Sequence, residues 1–295
     1  MILTGQEQKI SFVTGKGGVG KSTVAAGLAI RIANQGQRTL LVELGEMSYY
    51  QAVFNQSIGY QPAEVRRNLS VCIWNGENCL REYVLYILKI QALADLFFDN
   101  KVMRTFIKAA PALKELAILG KITSGVRSWG PELPFDHLVV DAPSTGHFLA
   151  LLKAPLGMSE LFEVGPMGEQ SRSIMQVLKN QHISDYTIVT LLEDLPVSEA
   201  LELKQDLNEL LSIDPKIAVN RVYKSSVDTQ TIEASLSAVQ NKDNDFSIFV
   251  FNLLKEQERQ MNRLSVYVKN YQVLPWVLSV NNQLIVDNLA EALHD

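Results

Sequence analysis

Gly15-Lys16-Gly17-Gly18-Val19-Gly20-Lys21-Ser22-Thr23 is the stretch on which the fold turns. It fits the pattern G-x-x-x-x-G-K-[ST] and lies between a β-rich run, Lys9 to Thr14, and a helical pattern, Ser22 to Gln35. In that helix Val24, Leu28 and Ile32 recur at four-residue spacing, and Gly36 follows its end. Glycines let the backbone curl so that successive N–H groups face phosphate oxygens, and the helix adds its partial positive end. Gly15, Gly17, Gly18, Val19, Gly20 and Thr23 form the cradle. Lys21 is placed to reach the β and γ phosphates, and the Ser22 hydroxyl to ligand Mg2+. A glycine-rich turn with no ligand is the plainer alternative, but the strand before and the helix after argue against it. The cofactors implied are ATP/ADP and Mg2+.

Working outward, strand and helix patterns alternate. Further strands are predicted at Arg38 to Leu44, Leu69 to Trp74, Phe135 to Asp141, Tyr186 to Leu192, Lys216 to Val222 and near Val273 to Leu278. Runs continuous in apolar residues suit a sheet buried on both faces. The pattern predicts an α/β fold, a doubly wound and mostly parallel sheet with helices on both sides. It reads as a single domain over 1–295, with helical insertions at about 79–127 and 148–180 forming a further layer.

Composition narrows the function. The chain has 295 residues, a net charge of −5 and 47% hydrophobic residues, so it can bury a large core and carries no overall basic footprint for nucleic acid. Cys72 and Cys79 are its two cysteines, with six residues between them, a spacing that suits neither a zinc pair nor a disulfide framework. No signal-like or membrane-spanning run is visible, which predicts a cytoplasmic protein, peripheral at a membrane surface at most.

Lys16 and the string Asp141-Ala-Pro-Ser-Thr-Gly-His147-Phe-Leu-Ala-Leu-Leu152 carry a more specific resemblance. A lysine directly after the first glycine marks the deviant P-loop class shared by Min-type partition ATPases, nitrogenase iron protein and arsenite-pump ATPases. The Asp141 string resembles the arsenite-pump ATPase family, which includes the ATPase that targets tail-anchored proteins. That family's string reads roughly D-x-A-P-T-G-H-T-L-R-L-L. Ala109 to Leu116 and Asp194 to Ala200 are similar to other family segments.

The resemblance implies that Lys16 acts across a dimer interface, in a homodimer or a heterodimer with a close relative. It implies that Asp141 holds Mg2+ through water, that His147 belongs to a switch, that Asn220 reads the adenine edge, and that Pro275 lies in a loop over the base. The chain departs from the family where the second strand ends Val42-Glu43-Leu44-Gly45 without the usual Asp-Pro. Glu43 then takes the magnesium-side position, and Glu46 or Gln51 orients water. Slow hydrolysis follows as an expectation. Two cysteines cannot supply a three-thiol arsenite site, and no zinc is expected without a C-x-x-C pair.

The implied function is a dimeric ATPase switch that couples nucleotide state to a protein client or membrane-targeting partner. The alternatives are a partition-type regulatory switch and the energising subunit of an anion pump. Leu93, Leu96 and Phe97, with Met158, Met167 and Met175, are the candidate client residues, although three methionines spread so widely fit core packing better than a groove.

Overall fold

A computed structural model describes residues 8–101, 105, 107, 111–223, 231 and 245–293. Ala109 and Ala110, which open one of the family-like segments, lie outside these residues. The strands are β1 (Lys9–Gly15), β2 (Thr39–Leu44), β3 (Ala63–Arg66), β4 (Leu69–Trp74), β5 (His137–Ser144), β6 (Ser184–Thr190), β7 (Lys216–Val222) and β8 (Tyr271–Pro275). They form one sheet in the order β3-β4-β2-β5-β1-β6-β7-β8. Every neighbouring pair is parallel except β3 with β4. The seven predicted strands are all present. β3 is the addition, a four-residue antiparallel edge whose sequence, AEVR, is too short and too charged to read as a strand.

The helices among the described residues are α1 (Lys21–Asn34), α2 (Tyr50–Phe54), α3 (Gly76–Leu88), α4 (Gln91–Asp99), α5 (Pro111–Ile122), α6 (Ser124–Arg127), α7 (Thr145–Leu161), α8 (Pro166–Lys179), α9 (Asp194–Leu211), α10 (Asp245–Tyr267) and α11 (Asn282–Ala292). Successive side chains of a strand point to opposite faces, so β1 divides its apolar residues between two cores. Val13 joins α1 and α11 on one face. Ile10 and Phe12 join α5, α7, α8 and α9 on the other. There Phe12 stacks on Tyr186 with ring centroids 5.1 Å apart and tilts against Phe148 at 5.9 Å. Each ring fully buried this way contributes roughly 1.5–3 kcal/mol. On the first face, a Cβ on Gly27 would sit 3.0 Å from Leu289 Cβ, so the glycine sets how closely α1 and α11 approach.

Met158 and Met175 are buried in the core that faces α7 and α8, so these methionines pack the interior and do not line a groove. Because β1, β2, β5 and β7 run parallel, their carboxyl ends deliver Gly15, Glu43, Asp141 and Asn220 to one edge of the sheet. That edge is where open α/β sheets bind ligands.

Candidate functional site

β1 ends at Gly15, whose φ is 143° and whose Cβ, if it had one, would lie 2.2 Å from the Val189 carbonyl oxygen. No other residue lets the strand lie so close to β6. Thr14 Oγ1 donates to the Pro143 carbonyl at 2.9 Å and ties the ends of β1 and β5 together. Gly18 and Gly20 adopt φ of 88° and 90°, left-handed conformations that favour glycine. A Cβ on Gly17 or Gly18 would meet nothing within 4 Å. Gly20 caps α1, no side chain completes the cap, and the first turn holds no acidic residue. The orphan amides of that turn, set on a 14-residue helix, suit an anion, so the loop fits phosphate.

Both lysines of the loop are engaged. Lys21 Nζ donates to the Lys16 carbonyl at 3.2 Å. Burial lowers its pKa, while the charge of Asp141 works the other way. The Lys16 ammonium pairs with the Glu199 carboxylate on α9. Neither lysine points into open solvent without a partner.

The acidic half of the site is built from three residues. Glu43 and Asp141 are register partners across β2 and β5, and they are 8% and 6% exposed. Tyr50 is fully buried, and its hydroxyl oxygen lies 3.0 Å from both Asp141 Oδ2 and the Ser22 carbonyl oxygen, so its one proton faces two acceptors. The Ser22 hydroxyl also bonds the Asp141 carboxylate. Burial pushes the Asp141 carboxyl up to about 6; the bonds from Ser22 and Tyr50 oppose this, and the nearby Glu43 adds to it. Glu43 accepts from Ser48 Oγ at 2.5 Å and from the Tyr49 amide at 2.8 Å. It thereby anchors the segment that leads into α2, and burial raises its pKa too. A hydroxyl beside a carboxylate is a hard oxygen pair that fits Mg2+. Among the described residues there is no group of three or more His, Cys, Asp or Glu that could hold a metal ion.

The remaining predicted residues are dispersed. Asn220 comes to the loop: its Nδ2 donates to the Val19 carbonyl at 2.9 Å, and its Oδ1 accepts from the Arg221 amide. β7 shifts register against β8 between Val219 and Val222, with Arg221 at φ 55°, and this irregularity places Asn220 over the loop. Pro275 ends β8 opposite Val222, one strand further out. Gln51 is exposed on α2, its amide 3.5 Å from the Ile58 carbonyl. Glu46 accepts from Asn75 Nδ2 at 3.0 Å, and His147 is exposed in the first turn of α7. Sequence reading missed Tyr50 and the pairing of Glu199 with Lys16. An aromatic pair, Tyr49-Tyr50, in an otherwise polar segment after a strand was the available signal for the first. Glu199 sat unremarked inside the family-like Asp194 to Ala200 segment.

Comparison with known proteins gives the same direction. The family model described as anion-transporting ATPase matches residues 8–165. The ATPase BagA of Mycobacterium tuberculosis is 32% identical over 234 residues, which cover 76% of this chain and 68% of that protein. The arsenical pump-driving ATPase of Escherichia coli is 31% identical over 173 residues, covering 58% of this chain and 29% of its own length. A protein of the same name from Acidiphilium multivorum is 27% identical over 228 residues, covering 72% and 39%.

Proposed function

The chain is an ATPase and belongs to the anion-transporting ATPase family, and from that premise we propose that it is a magnesium-dependent, dimeric switch coupling nucleotide state to a protein client or membrane-targeting partner. The observation that carries the proposal is the Tyr50 hydroxyl, which joins the magnesium-side acid Asp141 to the segment Gly45 to Phe54. Met47, in that segment, is 89% exposed. A change felt at Asp141 therefore has a direct mechanical route to the surface.

ATP with Mg2+ supplies the phosphoanhydride and the cation that offsets its charge; the chain supplies position and electrostatics. The open amides of Gly17, Gly18 and the first turn of α1 bind phosphate oxygens. Lys21 brings a fixed charge, and Ser22 and Asp141 hold the ion. Lys16 of a second copy neutralises charge on the transferring phosphoryl group. Gln51 orients the attacking water, its amide giving up a long contact to the Ile58 carbonyl to do so. Asn220 presents its remaining amide hydrogen to the base, with the Pro275 loop beyond it.

Exposed apolar side chains on the helical layer support a protein client. Ile87, Ile90 and Leu96 are 52%, 54% and 68% exposed on and around α3 and α4. Leu161, the last residue of α7, and Val164, in the link to α8, are 76% and 87% exposed. The Leu93 and Phe97 side chains lie outside the described ones. Among the described residues no helix is long and apolar enough to cross a membrane, so any membrane role is peripheral in this reading.

The test is purification of the full chain from its native cell, with a trapped ATP analogue and separately with ADP. The proposal expects a dimer with the analogue and a set of bound proteins that differs between the two. A monomer in both, with identical bound proteins, would overturn it.

A further inference from the structure

Lys16 is expected to serve a partner's phosphates, yet its ammonium is bonded inside its own subunit to Glu199. We propose that Glu199 is a positioning residue, a latch that keeps Lys16 in its own subunit until a second copy takes it. The inference rests on the trans-acting reading of Lys16 given above.

Three observations carry it. Glu199 stands on a fixed platform, because its neighbours Val197, Ala200 and Leu203 are buried against the sheet. The same turn is tied to α10 by Arg263, which donates to Asp194 Oδ1 at 2.8 Å and to Ser198 Oγ at 2.9 Å. The Lys16 main chain is fixed as well, since its carbonyl accepts from Lys21 Nζ. Only the flexible side chain is left to move, and a lysine stem allows that.

The strength of the latch suits a reversible device. The two side chains are 30% and 32% exposed, so water and salt screen the pair. A pair of this kind biases an equilibrium by about one- to fivefold, far less than a multiply charged phosphate group offers the same ammonium. A symmetric dimer must open the latch in both copies, so its effect on assembly is squared.

The experiment compares the full-length wild type with Glu199→Gln, which keeps size and removes charge. Self-association is measured by sedimentation with Mg2+ and a non-hydrolysable ATP analogue. The dimer dissociation constant of Glu199→Gln should fall by roughly 2- to 25-fold, two latches each as strong as an exposed ion pair. Glu199→Asp should stay near wild type, and analogue binding to the dilute monomer should not change. In a Lys16→Ala background, Glu199→Gln should have no effect, because the pair is already broken. If Glu199→Gln misfolds by circular dichroism, Glu199→Ala takes its place. An unchanged or weakened dimer, while Lys16→Ala still abolishes hydrolysis, overturns the latch and leaves the trans-acting reading standing. A wild type that never associates, with normal hydrolysis by Lys16→Ala, removes both.

Discussion

Asn220 Nδ2 lies 2.4 Å from the position a Cβ on Gly20 would occupy. The glycine at the start of α1 is thus required by a side chain 200 residues away in sequence, as well as by its own φ of 90°. The same amide holds the Val19 carbonyl. Replacing Asn220 with Ala removes two hydrogen bonds, and the one to Val19, a loss of about 1 kcal/mol, frees the loop. Affinity for ATP should fall about fivefold, and the preference for ATP over GTP should shrink. Parallel titrations with both nucleotides check this; an unaltered ATP affinity refutes the role.

Lys21→Ala should abolish hydrolysis in a chain that folds normally. In the proposed function the lysine is the fixed charge that this loop directs at the β and γ phosphates. Turnover and circular dichroism, measured on the same preparation, decide the matter, and wild-type turnover in a folded variant contradicts the assignment.

Tyr50→Phe deletes a hydroxyl that lies within hydrogen-bond distance of both the Asp141 carboxylate and the Ser22 carbonyl, with one proton to donate. A bond to a charged group contributes about 1.5–3 kcal/mol, so Mg2+ affinity and hydrolysis should each drop by roughly tenfold or more. Losing that donor also raises the Asp141 pKa further, so the acidic limb of the pH–rate profile should move up. A profile that stays in place would show that Tyr50 only fills space.

Asp141 gives a signed prediction for stability. Its carboxyl titrates at about 6 in the folded chain against 3.8 in the unfolded one. Folding therefore disfavours the ionised form: the penalty is absent below the unfolded value, grows between the two, and is full above the folded value. Its size is on the order of 3 kcal/mol. Asp141→Asn should raise the melting temperature at neutral pH, flatten its acid dependence, and abolish Mg2+-dependent hydrolysis. Mg2+ should stabilise the wild type, mainly above the folded pKa, and leave the variant unmoved. Thermal melts across this range with and without Mg2+ test each part.

Cys72 and Cys79 are buried, and burial raises both thiols, that of Cys79 to about 12. A protonated, enclosed thiol is a poor nucleophile and a poor soft-metal ligand. In native protein neither should react with a thiol reagent, both should react in denaturant, and arsenite should not change the ATPase rate. Stimulation by arsenite that disappears on replacing Cys72 with Ala and Cys79 with Ser contradicts this.

The parts of the molecule legible in the sequence are those fixed by local pattern. The loop from Gly15 to Thr23 announces itself because strand, glycines and helix must follow one another in order. The central strands are near-continuous apolar runs, so all seven were readable. β3 was not, since it depends on pairing with β4 for its existence. The contacts of Tyr50 and Glu199 were hidden for another reason. Each is defined by a partner far along the chain, Asp141 or Lys16, and no periodicity reports such a meeting. Asn220 was legible as a position, while its bond to Val19 needed the irregular end of β7 to be seen.

The two borders of the sheet bear on how copies of this chain can meet. At one border stands β3, four residues long, with Arg66 turned to Asp287 in a 2.5 Å ion pair. At the other stands β8, five residues long and ended by Pro275, which has no amide to donate. Short, charged or proline-ended borders are poor templates for an additional strand. Two copies therefore gain little by extending one ribbon side by side, and polymer growth in that direction is discouraged. In the proposed dimer the contact lies elsewhere, and a meeting at the rim where the parallel strands finish would bring the two phosphate loops within sight of each other.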